Sequence, residues 1–167
     1  MRTSRPTLTR SLAVAGLLAL FASFPAGAAS PWDAAQVEHA GSREITVYRS
    51  PSCGCCKGWI DHLRTHGFEV SDVARDDVMP IKQQLGLPAA LASCHTAVID
   101  GYVIEGHVPA DDIKRLLAQK PAVAGLAVPE MPMGPPGMEM GARKDPFAVL
   151  SFDRTGNVEA FNQYWNY

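Results

Sequence analysis

Three of the chain's four cysteines, Cys53, Cys55 and Cys56, fall within four residues, where a strand pattern gives way to a helical one. Ile45-Thr46-Val47-Tyr48 is β-branched and aromatic, as strands are, and Pro51-Ser52-Cys53-Gly54 stops it. The spacing predicts a helix over Cys55–His66, with Trp59, Ile60 and Leu63 as its apolar stripe and Gly67 at the position that ends it. Thiols at a helix start sit near unpaired backbone N–H groups and the positive end of the helix dipole, which favour a thiolate. Lys57 adds a nearby cation.

The remaining pattern builds a domain around that junction. Phe68–Val73 alternates as a strand does, and Asp76 or Asp77 is expected to cap a second helix with Val78, Ile81 and Leu85 inward and Gly86 at its end. Thr96–Ile99 and Tyr102–Glu105 flank Asp100-Gly101, a strong hairpin signal. Ala110–Gln119 reads as a third helix with Ile113, Leu116 and Leu117 on one face, closed by Pro121. The predicted order, β-α-β-α-β-β-α, is that of an α/β, thioredoxin-like core. Residues 121–146 hold six of the 13 prolines and four of the six methionines, so a Pro/Met-rich loop with no regular element is expected there. Phe147–Phe152 and Val158–Phe161, around a turn at Asp153–Asn157, predict an added C-terminal β-hairpin packed on the domain.

The beginning of the chain reads differently. Arg2, Arg5 and Arg10 precede an apolar run from Leu12 to Phe24, Pro25 breaks it, and Ala26-Gly27-Ala28 supplies a small-residue cleavage site. Residues 1–28 are therefore expected to be a signal peptide, and residues 29–43 a flexible N-terminal segment. The thioredoxin-like metal-binding domain is expected over 44–120, the loop over 121–146 and the hairpin over 147–167. Losing the leader removes three of 15 basic residues and none of 17 acidic ones, for a net charge of about −5. That balance gives no basic face for nucleic acid. No later apolar run is long enough to span a bilayer, so no stable membrane insertion is expected after cleavage.

Export matters for the thiols, because oxidising compartments turn spare thiols into disulfides. Cys53 and Cys56 form the C-x-x-C pair of a redox protein and are the candidate catalytic cysteines. Cys55 complicates that reading: a Cys53–Cys56 disulfide leaves a third thiol beside it, inviting exchange. Three converging thiolates suit a soft ion, Cu(I) before Zn(II). Cys94 precedes the strand Thr96–Ile99, and in a thioredoxin-like layout it would face the cluster. Two ordinary disulfides, a thiol–disulfide oxidoreductase acting on protein partners, and a structural Zn(II) domain stay open at this point. His95 and His107 are candidate ligands, with structural roles equally open, whereas His39, His62 and His66 have no ligand-like spacing and read as surface or helix-face residues. Met131, Met133, Met138 and Met140 offer thioethers, which prefer Cu(I) to hard cations; adaptable loop packing explains them as well.

Four ordered motifs, Pro51-Ser52-Cys53-Gly54-Cys55-Cys56-Lys57-Gly58-Trp59, Ser93-Cys94-His95-Thr96-Ala97, Gly106-His107-Val108-Pro109 and Met133-Gly134 to Gly137-Met138-Glu139, resemble the CopG-type family of small periplasmic metal-binding proteins associated with copper resistance. The resemblance covers about residues 44–164. It implies a thioredoxin-like fold, a copper site at Cys53, Cys55, Cys56 and Cys94, and a redox role that interconverts Cu(I) and Cu(II) or couples copper to thiol oxidation. His95, His107, Met133 and Met138 are second-rank ligand candidates. The implied location is the periplasm, and the implied partners are copper ions and other periplasmic copper-handling proteins.

Overall fold

The computed structural model describes residues 30–33 and 37–167, so the predicted leader lies outside the described residues. Seven strands and three α-helices follow in the order β1 (Glu44–Arg49), α1 (Gly54–Thr65), β2 (Glu69–Ala74), α2 (Met79–Gln84), β3 (His95–Ile99), β4 (Tyr102–Glu105), α3 (Ala110–Gln119), β5 (Gly125–Ala127), β6 (Phe147–Phe152) and β7 (Val158–Tyr164). The fold is α/β, and its first seven elements keep the expected order. All seven strands join one sheet, ordered β2-β1-β3-β4-β5-β6-β7.

Each connection explains a strand direction. Helix α1 crosses over between β1 and β2, which pair in parallel, and α3 does the same between β4 and β5. Asp100 and Gly101 both take positive φ (48° and 83°), the turn that lets β3 and β4 fold back as an antiparallel hairpin. Strand β3 also runs antiparallel to β1, with Arg49 opposite His95. That register brings the chain leaving β1 beside the chain entering β3.

Alternation along the strands divides the interior in two. On one face, Ile45, Val47, Ala97, Ile99, Ile104, Leu126 and Val149 pack under Trp59, Ile60 and Leu63 of α1 and Ile113, Leu116 and Leu117 of α3. On the other, Val103, Ala127 and Phe152 pack with Leu85, Leu87 and Leu91, from the α2 side. The stripes predicted for α1 and α3 are the buried ones, and α1 is offset by one residue from its expected bounds.

Three expectations need correction. Helix α2 does not turn Val78, Ile81 and Leu85 fully inward: these are half-buried, and its buried residue is Lys82. The stretch 121–146 does contain a regular element, β5, whose three residues are buried. It lies ahead of the proline cluster and completes the sheet between β4 and β6. The segment before β1 is anchored at Trp32, which packs edge-on against Phe147 and Tyr164 and donates its indole N–H to the Gly134 carbonyl (2.8 Å). The C-terminal hairpin is bound to α3 through buried Asp112, which accepts from Tyr164 Oη (2.7 Å), Asn162 Nδ2 (3.0 Å) and the Arg115 guanidinium.

Leu126 is fully buried in a segment whose composition reads as loop. Leu126→Ala is expected to destabilise the fold by about 2–5 kcal/mol, the cost of a core cavity. Urea denaturation checks this; a loop residue would show almost no change.

Candidate metal centre

The site forms where the β1–α1 junction meets the start of β3. Cys53 is the N-cap of α1, and its sulfur accepts the Cys56 backbone N–H (3.3 Å). Cys56 lies one helical turn on and is fully buried, whereas Cys53 and Cys55 are half-buried. Cys53 and Cys56 are joined in a disulfide; Cys55 and Cys94 are free thiols. The Cys53 and Cys55 sulfurs are 3.4 Å apart. Cys94 arrives from the β3 side, and all four sulfurs lie within 4.8 Å of one another. The structure therefore brings together the four cysteines that the sequence separates by up to 41 positions.

A second group shares one of those sulfurs. Cys94, His95 and His107 also place their ligand atoms within 4.8 Å of one another. Cys94 Sγ lies 3.2 Å from His95 Nδ1 and 3.2 Å from His107 Nε2. His107 Nδ1 sits 2.8 Å from the Pro136 carbonyl, which can only accept, so Nδ1 carries the proton and Nε2 offers its lone pair to Cys94. One thiol has one proton to give. If it goes to His107, His95 must donate from Nδ1 to the sulfur, leaving its Nε2 an acceptor. Among the described residues that buried Nε2 has no partner. An unpaired acceptor is tolerated better than an unpaired N–H.

Burial sets the charge states. It pushes the Cys94 thiol up to about 12, helped by the adjacent Cys55 thiol. It also pushes His95 well below its ordinary range, with His107 and Lys82 adding to the effect, and it lowers His107 despite the Pro136 bond. Both imidazoles are thus neutral near neutral pH, the form that ligates. The Trp59 indole packs against His95, with ring centroids 4.3 Å apart and planes tilted by 38°, and donates its own N–H to the Val108 carbonyl (2.8 Å), closing the apolar side of the site.

The methionine segment packs against this centre through its backbone. Gly137 takes φ of 82°, and a Cβ there would lie 2.5 Å from the Trp59 nitrogen and 2.7 Å from the Cys55 carbonyl oxygen, so only glycine lets the loop approach the first turn of α1. Met138 next to it is buried and Met133 is half-buried, whereas Met131 and Met140 are 54% and 63% exposed. The other histidines are partly corrected: His66 is buried, with Nε2 2.5 Å from the Trp32 carbonyl, and His62 Nε2 accepts the Ala110 N–H (3.0 Å). Sequence reasoning missed the Pro136 carbonyl and the Trp59 ring. It also missed Lys82 and Glu105, a buried ion pair beside the site (2.5 Å). Glu105 carried one signal, a carboxylate at a strand end one residue before Gly106-His107; Lys82 carried none.

With Cys53 and Cys56 reduced, the donor set is four thiols with two neutral imidazoles, that of a soft or borderline metal ion and not of Mg²⁺ or Ca²⁺. Comparison with known proteins points the same way. Residues 91–138, which carry Cys94, His95, His107 and Met138, match a family described as a protein of unknown function, DUF411. No curated protein matches the chain. Two solved structures of copper resistance protein CopG do. Form 1 is 46% identical, with a TM-score of 0.70 over 74% of this chain and 98% of that one. Form 2 is 45% identical, with a TM-score of 0.71 over 74% of this chain and 99% of that one. At that identity over nearly the whole of both relatives, the chain belongs to the CopG family of copper resistance proteins.

Proposed function

We propose that this chain is an exported, periplasmic copper-binding protein with a thioredoxin-like core, which holds Cu(I) at Cys53, Cys55, Cys56 and Cys94 and links copper loading to the Cys53–Cys56 disulfide. The observation that carries this reading is the arrival of Cys94, from a separate stretch of chain, within 4.8 Å of the other three sulfurs. A C-x-x-C exchange enzyme has no need of it. Thiolate sulfur favours Cu(I), and four sulfurs this close can bridge more than one ion. His95 and His107 are neutral and share Cys94, so they supply nitrogen donors at the same edge. Met133 and Met138 are the thioethers of the loop seated on α1 and serve as exchange ligands in this reading.

In the direction that forms the disulfide, the electrons balance between thiols and copper alone. Two Cys thiols going to a disulfide give up two electrons and two protons, and two Cu(II) ions taking those electrons become two Cu(I). The disulfide form keeps two free thiols, and the reduced form presents four. Disulfide formation leaves only Cys55 and Cys94 as thiols, so completing the four-thiol set for Cu(I) takes two electrons and two protons from an external dithiol reductant, which leaves as its own disulfide. The same disulfide at a strand–helix junction favours a second reading, a thiol–disulfide oxidoreductase acting on protein partners, in which Cys55 and Cys94 are dispensable.

Anaerobic reconstitution of the reduced protein with Cu(I), or with Zn(II), with metal and free thiol counted together, separates these readings. Retained Cu(I) with all four thiols protected is expected, and Cys55→Ser and Cys94→Ser each lower the copper stoichiometry. Unchanged stoichiometry in both variants, with full activity in a metal-free exchange assay, favours the oxidoreductase. Alkylation of the oxidised, metal-free protein is expected to mark Cys55 and Cys94 alone, read by peptide mass spectrometry; label on Cys53 or Cys56 contradicts the disulfide pairing.

A further inference from the structure

Helix α2 sends one side chain into the interior, and it is charged. Lys82 is 2% exposed and Glu105 is 0% exposed. Lys82 Nζ donates to Thr96 Oγ1 (2.7 Å) and to Glu105 Oε1 (2.5 Å). Thr96 Oγ1 in turn donates to Glu105 Oε2 (2.5 Å), and the Ser93 backbone N–H donates to Glu105 Oε1 (2.5 Å). Thr96 and Glu105 are cross-strand partners in the β3–β4 register, on the sheet face that α2 covers.

The neighbours of these residues matter more than the pair itself. Ser93 precedes Cys94, Thr96 follows His95, and Glu105 stands two residues before His107. Strand β3 begins at His95, so Cys94 lies one residue outside the ladder. Its backbone is positioned instead by the Ser93 amide on Glu105, and by Ser93 Oγ on the Glu130 carbonyl (2.6 Å) at the edge of the methionine loop. The Gly106 N–H donates to the His95 carbonyl (3.0 Å) and the Val128 N–H to the Glu105 carbonyl (2.9 Å), which ties the Cys94-His95 and Gly106-His107 segments to each other and to the chain leaving β5. A buried ion pair is a poor way to gain stability, since apolar residues of similar volume do as well or better. A fully bonded one is a good way to hold one geometry.

We propose that Lys82, Glu105 and Thr96 form a buried positioning clamp that holds Cys94, His95 and His107 at ligand distance, acting through the Ser93 amide. The clamp touches no metal; it acts through the residues that would. The proposal rests on the reading of Cys94 as a ligand, and the test separates the two. In metal-free, reduced protein, the rates of iodoacetamide alkylation at Cys94 and Cys55 are measured site by site. The paired variant Lys82→Met with Glu105→Leu removes the clamp and strands no charge. It is expected to keep its far-ultraviolet circular dichroism and a cooperative thermal transition, yet to alkylate faster at Cys94 relative to Cys55. Its Cu(I) affinity, measured by competition with a chromophoric chelator, is expected to fall about tenfold or more, as loss of an outer-shell partner does. The double amide Lys82→Gln with Glu105→Gln keeps donors and acceptors and should return both readouts close to wild type.

An unchanged Cys94 to Cys55 ratio in the folded paired variant overturns the clamp, whatever copper does. A double amide as altered as the apolar pair also overturns it, because charge and not geometry would then govern the site. A shifted ratio with unaltered copper affinity leaves the clamp standing and removes Cys94 from the ligand set. Should the paired variant fail to fold, Thr96→Val removes the two bonds made by the Thr96 hydroxyl and leaves the Lys82–Glu105 pair in place. A raised Cys94 ratio supports the proposal there, and an unchanged ratio overturns it.

Discussion

Antiparallel pairing between β1 and β3 is the constraint on which the site depends. It sets Arg49, four residues before Cys53, opposite His95, one residue after Cys94. A parallel β3 would put Cys94 at the other end of the strand, roughly 16 Å away at the usual rise per residue. The Asp100-Gly101 turn then returns β4 so that Gly106 and His107 come back to the same edge as Cys94. Strand direction and one tight turn therefore assemble a donor set from three stretches of chain, before any side chain makes a contact of its own.

Around that edge, side chains settle what the donors can do. Burial keeps Cys94 protonated and the two imidazoles neutral, so in the metal-free form Cys94, His95 and His107 make an uncharged hydrogen-bonded group. A soft cation must displace the thiol proton, which couples binding to proton release. The Pro136 carbonyl fixes the His107 tautomer, as an outer-shell acceptor does for a ligating imidazole. The methionine segment is thus part of the centre through its backbone, by the Pro136 bond and the close approach of Gly137, independently of what its thioethers do.

Much of this was legible in the sequence, because the signals were local. The Pro51–Gly54 stop, the α1 and α3 stripes and the Asp100-Gly101 turn each depend on neighbours a few residues apart, and each stands where its pattern placed it. The meeting of Cys94 with the trio followed from element order. Other features depended on tertiary partners. Gly125-Leu126-Ala127 is too short to show a period and becomes a strand because β4 and β6 leave a gap for it. Lys82 sits where a helix stripe would demand an apolar residue, and only the carboxylate delivered by β4 makes its burial tolerable. Trp32 looked like part of a loose lead-in, since the aromatic rings that receive it come from the far end of the chain.

Whether Cys94 completes a sulfur-bound copper site is decided by copper K-edge X-ray absorption on the Cu(I)-loaded protein, compared with Cys94→Ser. A cuprous edge and a first shell dominated by sulfur are expected, with fewer sulfur scatterers when Cys94 is replaced. A shell of nitrogen and oxygen, or one indifferent to Cys94, would contradict a site completed by Cys94.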